Sequence, residues 1–217
     1  MGEAIARRLA SDGYQLGLMS NSGGAEALAE ELGAVAISGS VTDSSDLAHL
    51  VELTVSTYGR LDGVVNNTGH PPKGDLLEIS DDDWHTGMDL TFLNVVRMAR
   101  LATPHLQAAG GGSIVNIATF ATFEPDAAFP VSAPMRAALA GFTKIYSDKY
   151  APIRMNNVLP GYMENYEVGP EIQARIPMGR RGHLTKIADT TAFLLSDGGG
   201  YITGQNLRVD GGLTRSV

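Results

Sequence analysis

Apolar positions along the chain alternate between helical spacing and short continuous runs. Ile5, Ala6 and Leu9, set among Glu3, Arg7 and Arg8, predict an amphipathic helix over 3–12. A short strand follows at 14–19, a helix at 25–32 ended by Gly33, and a strand at 34–38. The spacing then predicts a long helix over 43–58 stopped by Gly59, and a buried strand over 61–65. A Gly/Pro-rich loop occupies 68–74, and one or two helices fill 81–109 with Ser80 as N-cap. Strand 113–118, helix 133–150 and strand 154–159 come next. Residues 160–182 read as irregular, followed by helix 185–196 and a last strand at Asn206–Val209.

Strands alternating with helices of 10–15 residues imply βαβ units and a parallel sheet. Runs such as Ile114-Val115-Asn116-Ile117 fit a sheet covered on both faces. Right-handed crossovers then give a doubly wound α/β fold, a three-layer α/β/α sandwich. At 217 residues, one domain is expected over 1–217, with 160–182 as a lid within it. Ligands of such sheets bind outside the carboxyl ends of the strands.

Composition narrows the function. Gly is 26 of 217, above the usual share of about 7%, without the period of a fibre. The absence of cysteine excludes disulfides, thiol catalysis and zinc–thiolate sites. The five histidines show no i, i+4 pair, so no metal site is expected. A net charge of −8 argues against nucleic acid as a partner. No apolar run reaches the roughly 18–20 residues of a membrane span. A soluble, cytoplasmic α/β protein is the expectation.

Small or polar residues stand at the strand ends: Ser20-Asn21-Ser22, Asn66-Asn67-Thr68-Gly69, Thr119 and Pro160-Gly161. With the blocks Gly112-Ser113-Ile114-Val115-Asn116-Ile117, Asn157-Val158-Leu159-Pro160-Gly161, Pro177-Met178-Gly179-Arg180, Ala192-Phe193-Leu194-Leu195-Ser196-Asp197 and Val209-Asp210-Gly211-Gly212, they carry a resemblance. The chain resembles the short-chain dehydrogenase/reductase family over its whole length. The resemblance implies a Rossmann-type fold, a nicotinamide cofactor and a small carbonyl or alcohol substrate. It also implies a homodimer or homotetramer built on the two long central helices.

It implies a site as well. The family uses a Tyr and, four residues on, a Lys, with a Ser thirteen residues before the Tyr and an Asn in the preceding long helix. Aligned on Ala137-Ala138-Leu139-Ala140-Gly141-Phe142-Thr143-Lys144, these positions fall on Ser132, Arg136, Thr119 and Thr91. Thr119 keeps a hydroxyl that can position a carbonyl. Arg136 keeps a cation on the helical face of Ser132 and can bond ribose hydroxyls as a fork. Ser132 is a far weaker acid than a Tyr, whose ordinary pKa is near 10. It can also serve as a helix N-cap ahead of Pro134. Tyr162, Glu164 and Tyr166 in the lid are alternative proton donors, and His70 can edge the pocket.

The cofactor-binding positions implied are Gly2, Ser20, Asn21, Ser40, Val41, Asn66, Asn67, Thr68, Gly69, Arg136, Pro160 and Gly161. NAD-specific sites carry an acid where Ser20 stands, so neutral Ser20-Asn21-Ser22 favours NADP(H) over NAD(H). Ser40 stands where the family has an adenine-contacting Asp. An NAD(P)-dependent oxidoreductase, with 3-oxoacyl reductase-like activity as one form, is the leading reading. A non-catalytic nucleotide-binding or interaction protein, or a scaffold without cofactor, is the alternative. Gly2-Glu3-Ala4-Ile5-Ala6 matches the end of the family's first, glycine-rich turn. The resemblance then implies an absent first strand between 14–19 and 61–65, and an internal Met at position 1 with residues upstream.

Overall fold

The computed structural model describes residues 1–216. Helix α1 spans Gly2–Ser11, and strand β1 (Gly17–Ser20), helix α2 (Gly24–Leu32), β2 (Val35–Ser38) and α3 (Ser44–Tyr58) follow. Then come β3 (Gly63–Asn66), α4 (Asp81–Met88), a π-helical turn at Asp89–Leu93 and α5 (Asn94–Ala108). Next are β4 (Ser113–Ile117), α6 (Ser132–Lys149), β5 (Arg154–Pro160), the short α7 (Pro170–Ala174), α8 (Leu184–Leu195) and β6 (Asn206–Val209).

Local chemistry sets these boundaries. The Asp43 carboxylate accepts the Ser45 N–H and opens α3, and Gly59, at φ 78°, closes it in the left-handed region. Ser80 accepts the Asp83 N–H and opens α4. Two strands are shorter than their apolar patterns suggest. Residues 14–16 are lead-in rather than strand, because the Tyr14 N–H turns back to the Leu9 carbonyl of α1 at 3.0 Å. β3 likewise starts at Gly63 rather than at residue 61. The irregular stretch 160–182 contains α7 and a parallel bridge between Met163 and Gly182.

All strand pairs are parallel, and they form two sheets. β1 pairs with β2, and β3-β4-β5-β6 form the second in that order. β1 and β3 are not bonded to each other, so the expected single sheet is split between them. The core lies on both faces of the larger sheet. On one face, Ile114 and Met155 pack with Leu47, Val51, Met98, Ala102 and Leu106 of α3 and α5. On the other, Val115, Ile117 and Val158 pack with Ile5 and Leu9 of α1 and Ile187 and Leu194 of α8. Neighbouring β4 residues thus serve opposite faces, as the strand period requires. This is the α/β layering, with β4 buried at all five positions.

Candidate active site

The four strands of the larger sheet carry an asparagine each at matched register. Asn66 pairs with Asn116, Asn116 with Asn157, and Asn157 with Asn206. Each side-chain amide donates to the next carbonyl oxygen: Asn66 to Asn116, Asn116 to Asn157, and Asn157 to Asn206, all at 2.8 Å. Thr143 of α6 adds a hydroxyl to Asn157 Oδ1 at 3.0 Å. A continuous polar ladder therefore crosses the sheet. Its members have paired groups inside a low-dielectric core, which fixes strand register.

Beyond that ladder the strand ends open into a pocket. Asn67 and Thr68 after β3, Thr119 and Phe120 after β4, and Pro160, Gly161 and Tyr162 at the end of β5 line it. Ser132 and Arg136 of α6 and Met1 ahead of α1 complete the wall, with Phe129, Tyr166 and His70 towards the rim. Gly161 must be small: a Cβ there would stand 2.7 Å from the Asp210 Cα. A wider, open depression is lined by residues 168–179 and holds none of the sequence-predicted residues.

Arg136 is the most unusual group. It is 6% exposed. Its Nη1 donates to the Ile117 carbonyl at 2.7 Å and its Nε to Ser132 Oγ at 3.2 Å. Burial alone holds its pKa down, to about 10. Ser132 is the first residue of α6 and Val131 the N-cap, so Ser132 does not cap the helix. Its hydroxyl instead faces the guanidinium one turn on. Thr119 caps a short 3₁₀ turn at Phe120–Thr122 through its Oγ1 and still lines the pocket.

The other sequence-predicted residues divide. Thr91 is buried in the π-helical turn, where its hydroxyl donates to the Gly87 carbonyl at 2.6 Å, and it does not line the pocket. Asn66 is committed to the ladder. Gly69 lies exposed in the following loop. Gly2 starts α1 and meets the β3 turn: a Cβ on it would stand 3.2 Å from Asn67 Nδ2. Ser20, Asn21, Ser40 and Val41 gather beyond the ends of β1 and β2, apart from the pocket lining. Ser20 Oγ accepts the Ala25 N–H at 3.0 Å, and Asp46 accepts the Ser40 N–H at 2.8 Å. Within 160–182, Tyr162 and Tyr166 line the pocket and Glu164 does not. Glu164 pairs with His183 at 2.7 Å and accepts the Leu184 N–H at 2.8 Å, which ties the lid to the start of α8. These two bonds, the backbone one first, hold its carboxyl below the usual range.

Two features escaped the sequence. Lys73, in the loop after β3, places Nζ 3.3 Å from the Tyr166 hydroxyl and over the Phe129 ring. The ladder escaped too, although an Asn in each of four strands was its visible trace.

Several features fit a nicotinamide dinucleotide. The first turn of α1, without a side-chain cap, meets the Asn67 turn through Gly2, and Met1 lines the same pocket as Pro160-Gly161.

Comparison with known proteins adds the following. Residues 1–214 match the family model described as enoyl-(acyl carrier protein) reductase. A 3-oxoacyl-(acyl-carrier-protein) reductase of Staphylococcus aureus is similar at 32% identity, covering 98% of this chain and 93% of the relative. A 2-dehydro-3-deoxy-D-gluconate 5-dehydrogenase of Escherichia coli is 32% identical over 75% of this chain and 69% of its own. A doubly substituted short-chain dehydrogenase/reductase of Serratia marcescens has a TM-score of 0.92 at 30% identity, over 99% of this chain and 93% of that one.

Proposed function

The chain belongs to the short-chain dehydrogenase/reductase family, and from that premise we propose that it is a nicotinamide-dependent oxidoreductase acting on a carbonyl/alcohol pair in the pocket above β3, β4 and β5. The observation that carries this is the convergence of Thr119, Ser132 and Arg136 with the Asn67-Thr68 turn and Pro160-Gly161 around one cavity. The relatives named as carbonyl reductases and dehydrogenases support the same reaction class.

In this reading the first turn of α1, Asn67, Thr68 and the Pro160-Gly161 backbone hold the cofactor. When bound, the cofactor supplies or accepts the hydride. Thr119 and Ser132 direct hydroxyls at the substrate oxygen. That oxygen also needs a proton, and Ser132 alone is too weak an acid to give it readily. Tyr166 is the better donor of the two lid phenols, because Lys73 stands beside its oxygen while burial pushes the Tyr162 phenol up. The neutral Ser20-Asn21-Ser22 turn favours NADP(H) over NAD(H). Residues 160–182 act as the substrate lid. Ala137, Gly141 and Ile145 form an exposed apolar stripe on α6, which supports a homodimer or homotetramer through that helix. No helix among the described residues is long and apolar enough to cross a membrane, in keeping with a cytoplasmic site of action.

A second reading rests on Ser132 itself: with an aliphatic hydroxyl in the Tyr position, the chain binds a nucleotide without turnover. One experiment separates the two. NADH and NADPH are titrated into the protein, and their consumption is followed with a panel of ketones, oxo acids and 3-oxoacyl thioesters. The oxidoreductase reading predicts consumption, faster with NADPH. Cofactor binding without reduction of any carbonyl establishes the second reading instead.

A further inference from the structure

We infer that Arg136 is the receptor for a carboxylate, so that the pocket takes small oxo or hydroxy acids in preference to neutral ketones or thioesters. The substrate part of this inference rests on the oxidoreductase reading above; the receptor does not.

The case begins with an unbalanced charge. Arg136 is buried, and no carboxylate among the described residues pairs with it. The chain's other arginine–carboxylate pairs, such as Arg7 with Glu31 and Arg60 with Asp62, lie at the surface. A guanidinium withdrawn from water without a counter-ion is costly, so its retention asks for an anion from outside the chain. Two of its three nitrogens are spent on Ile117 and Ser132. Among the described residues Nη2 has no hydrogen-bond partner, yet it is not one of their fully buried unpaired atoms, of which there is one, Thr191 Oγ1. Nη2 thus keeps contact with solvent, and Arg136 lines the pocket.

Among the described residues, no carboxylate lines the pocket beside Arg136. His70 stands at the rim, close enough to Lys73 and Arg136 that both, after partial burial, push its imidazole pKa down. Lys73 lies over the rings of Phe129 and Tyr166. Among the described residues no Asp or Glu lines this pocket, in a chain of net charge −8. A cavity lined by a guanidinium and by no carboxylate, with Lys73 over the neighbouring rings, favours an anion. Aromatic walls leave room for a compact carbon skeleton, and a guanidinium nitrogen pairs readily with a carboxylate oxygen.

The test is calorimetric titration of acetoacetate and of its neutral methyl ester into the full chain, without cofactor and again at saturating NADPH. The acid is expected to bind at least about tenfold more tightly than the ester, the size a charge-assisted hydrogen bond carries. Arg136→Gln should bring the acid down to the ester's affinity, and Arg136→Lys should keep part of the difference. Equal binding of acid and ester, or unchanged acid binding by a folded Arg136→Gln, overturns the inference. So does loss of acid binding at saturating NADPH, which would give the guanidinium to the cofactor. If Arg136→Gln fails to fold by circular dichroism, the acid-to-ester ratio of the unaltered protein decides. Lys73→Gln, at the rim, should then weaken the acid severalfold and leave the ester unchanged. Acid binding without turnover by either nicotinamide leaves the receptor standing and defeats the oxidoreductase reading. Reduction of neutral ketones with no acid binding does the reverse.

Discussion

Ser132 and Arg136 sit one helical turn apart at the start of α6, and the bond between Nε and Oγ makes one unit of them. Removing the hydroxyl leaves Nε without its acceptor and takes a polar group from the substrate's path. Ser132→Ala should lower kcat/KM about tenfold and cost about 1–3 kcal/mol of stability, read by steady-state assay and thermal melting. Asn157 answers to a different demand. Its oxygen takes two bonds and its nitrogen gives one, all inside a core where it is fully buried. Asn157→Ala would strand Asn116, Thr143 and Asn206 together, and should cost about 3 kcal/mol or more in chemical denaturation. The family resemblance pointed to Thr119, Ser132 and Arg136, and all three line the pocket. Residue-scale reading of the sequence missed the ladder, since a lone Asn in an apolar strand carries no mark of its cross-strand partner. The N-cap role that the sequence also allowed Ser132 falls to Val131, and a long-range carbonyl, Ile117, draws the guanidinium inward.

At the scale of elements, helix α1 binds to the sheet through Ile5 and Leu9, packed against Val115, Ile117 and Ile187. Leu9 is 5% exposed, so Leu9→Ala should cost about 2–5 kcal/mol by the loss of buried area and the cavity left. The lid is tied more lightly. Glu164 caps the first turn of α8 and pairs with His183. Its folded pKa is lowered, so its contribution is present above the ordinary carboxylate value of about 4.3 and fades as pH falls through the folded value. Acidification below about 4 should therefore loosen residues 164–184. Glu164→Gln should remove that pH dependence, as measured by limited proteolysis across pH. Helices were legible because Asp43, Ser80, Gly33 and Gly59 announce their ends. Strand starts were less so. Tyr14 looks like a strand residue, yet its backbone N–H is still bonded back to α1.

The whole molecule is an α/β layering on two parallel sheets with an open seam between β1 and β3. The alternation of elements made the fold class readable, and the family blocks located the seam. The seam's strands have backbone groups that no neighbouring strand pairs. Amide exchange should therefore be slowest in β4 and β5, bonded on both sides, and markedly faster along β1 and β3. Uniform protection across all six strands would contradict the split.

The central claim is that this pocket performs hydride-transfer chemistry with Ser132 and Arg136 in the family's Tyr and Lys positions. The direct measurement is the loss of reduced-nicotinamide absorbance when NADPH and a small oxo acid are mixed with the protein, compared between the unaltered chain and Arg136→Gln. The account predicts turnover by the first and at least about tenfold less by the second. Tight NADPH binding with no oxidation by any carbonyl compound would contradict it.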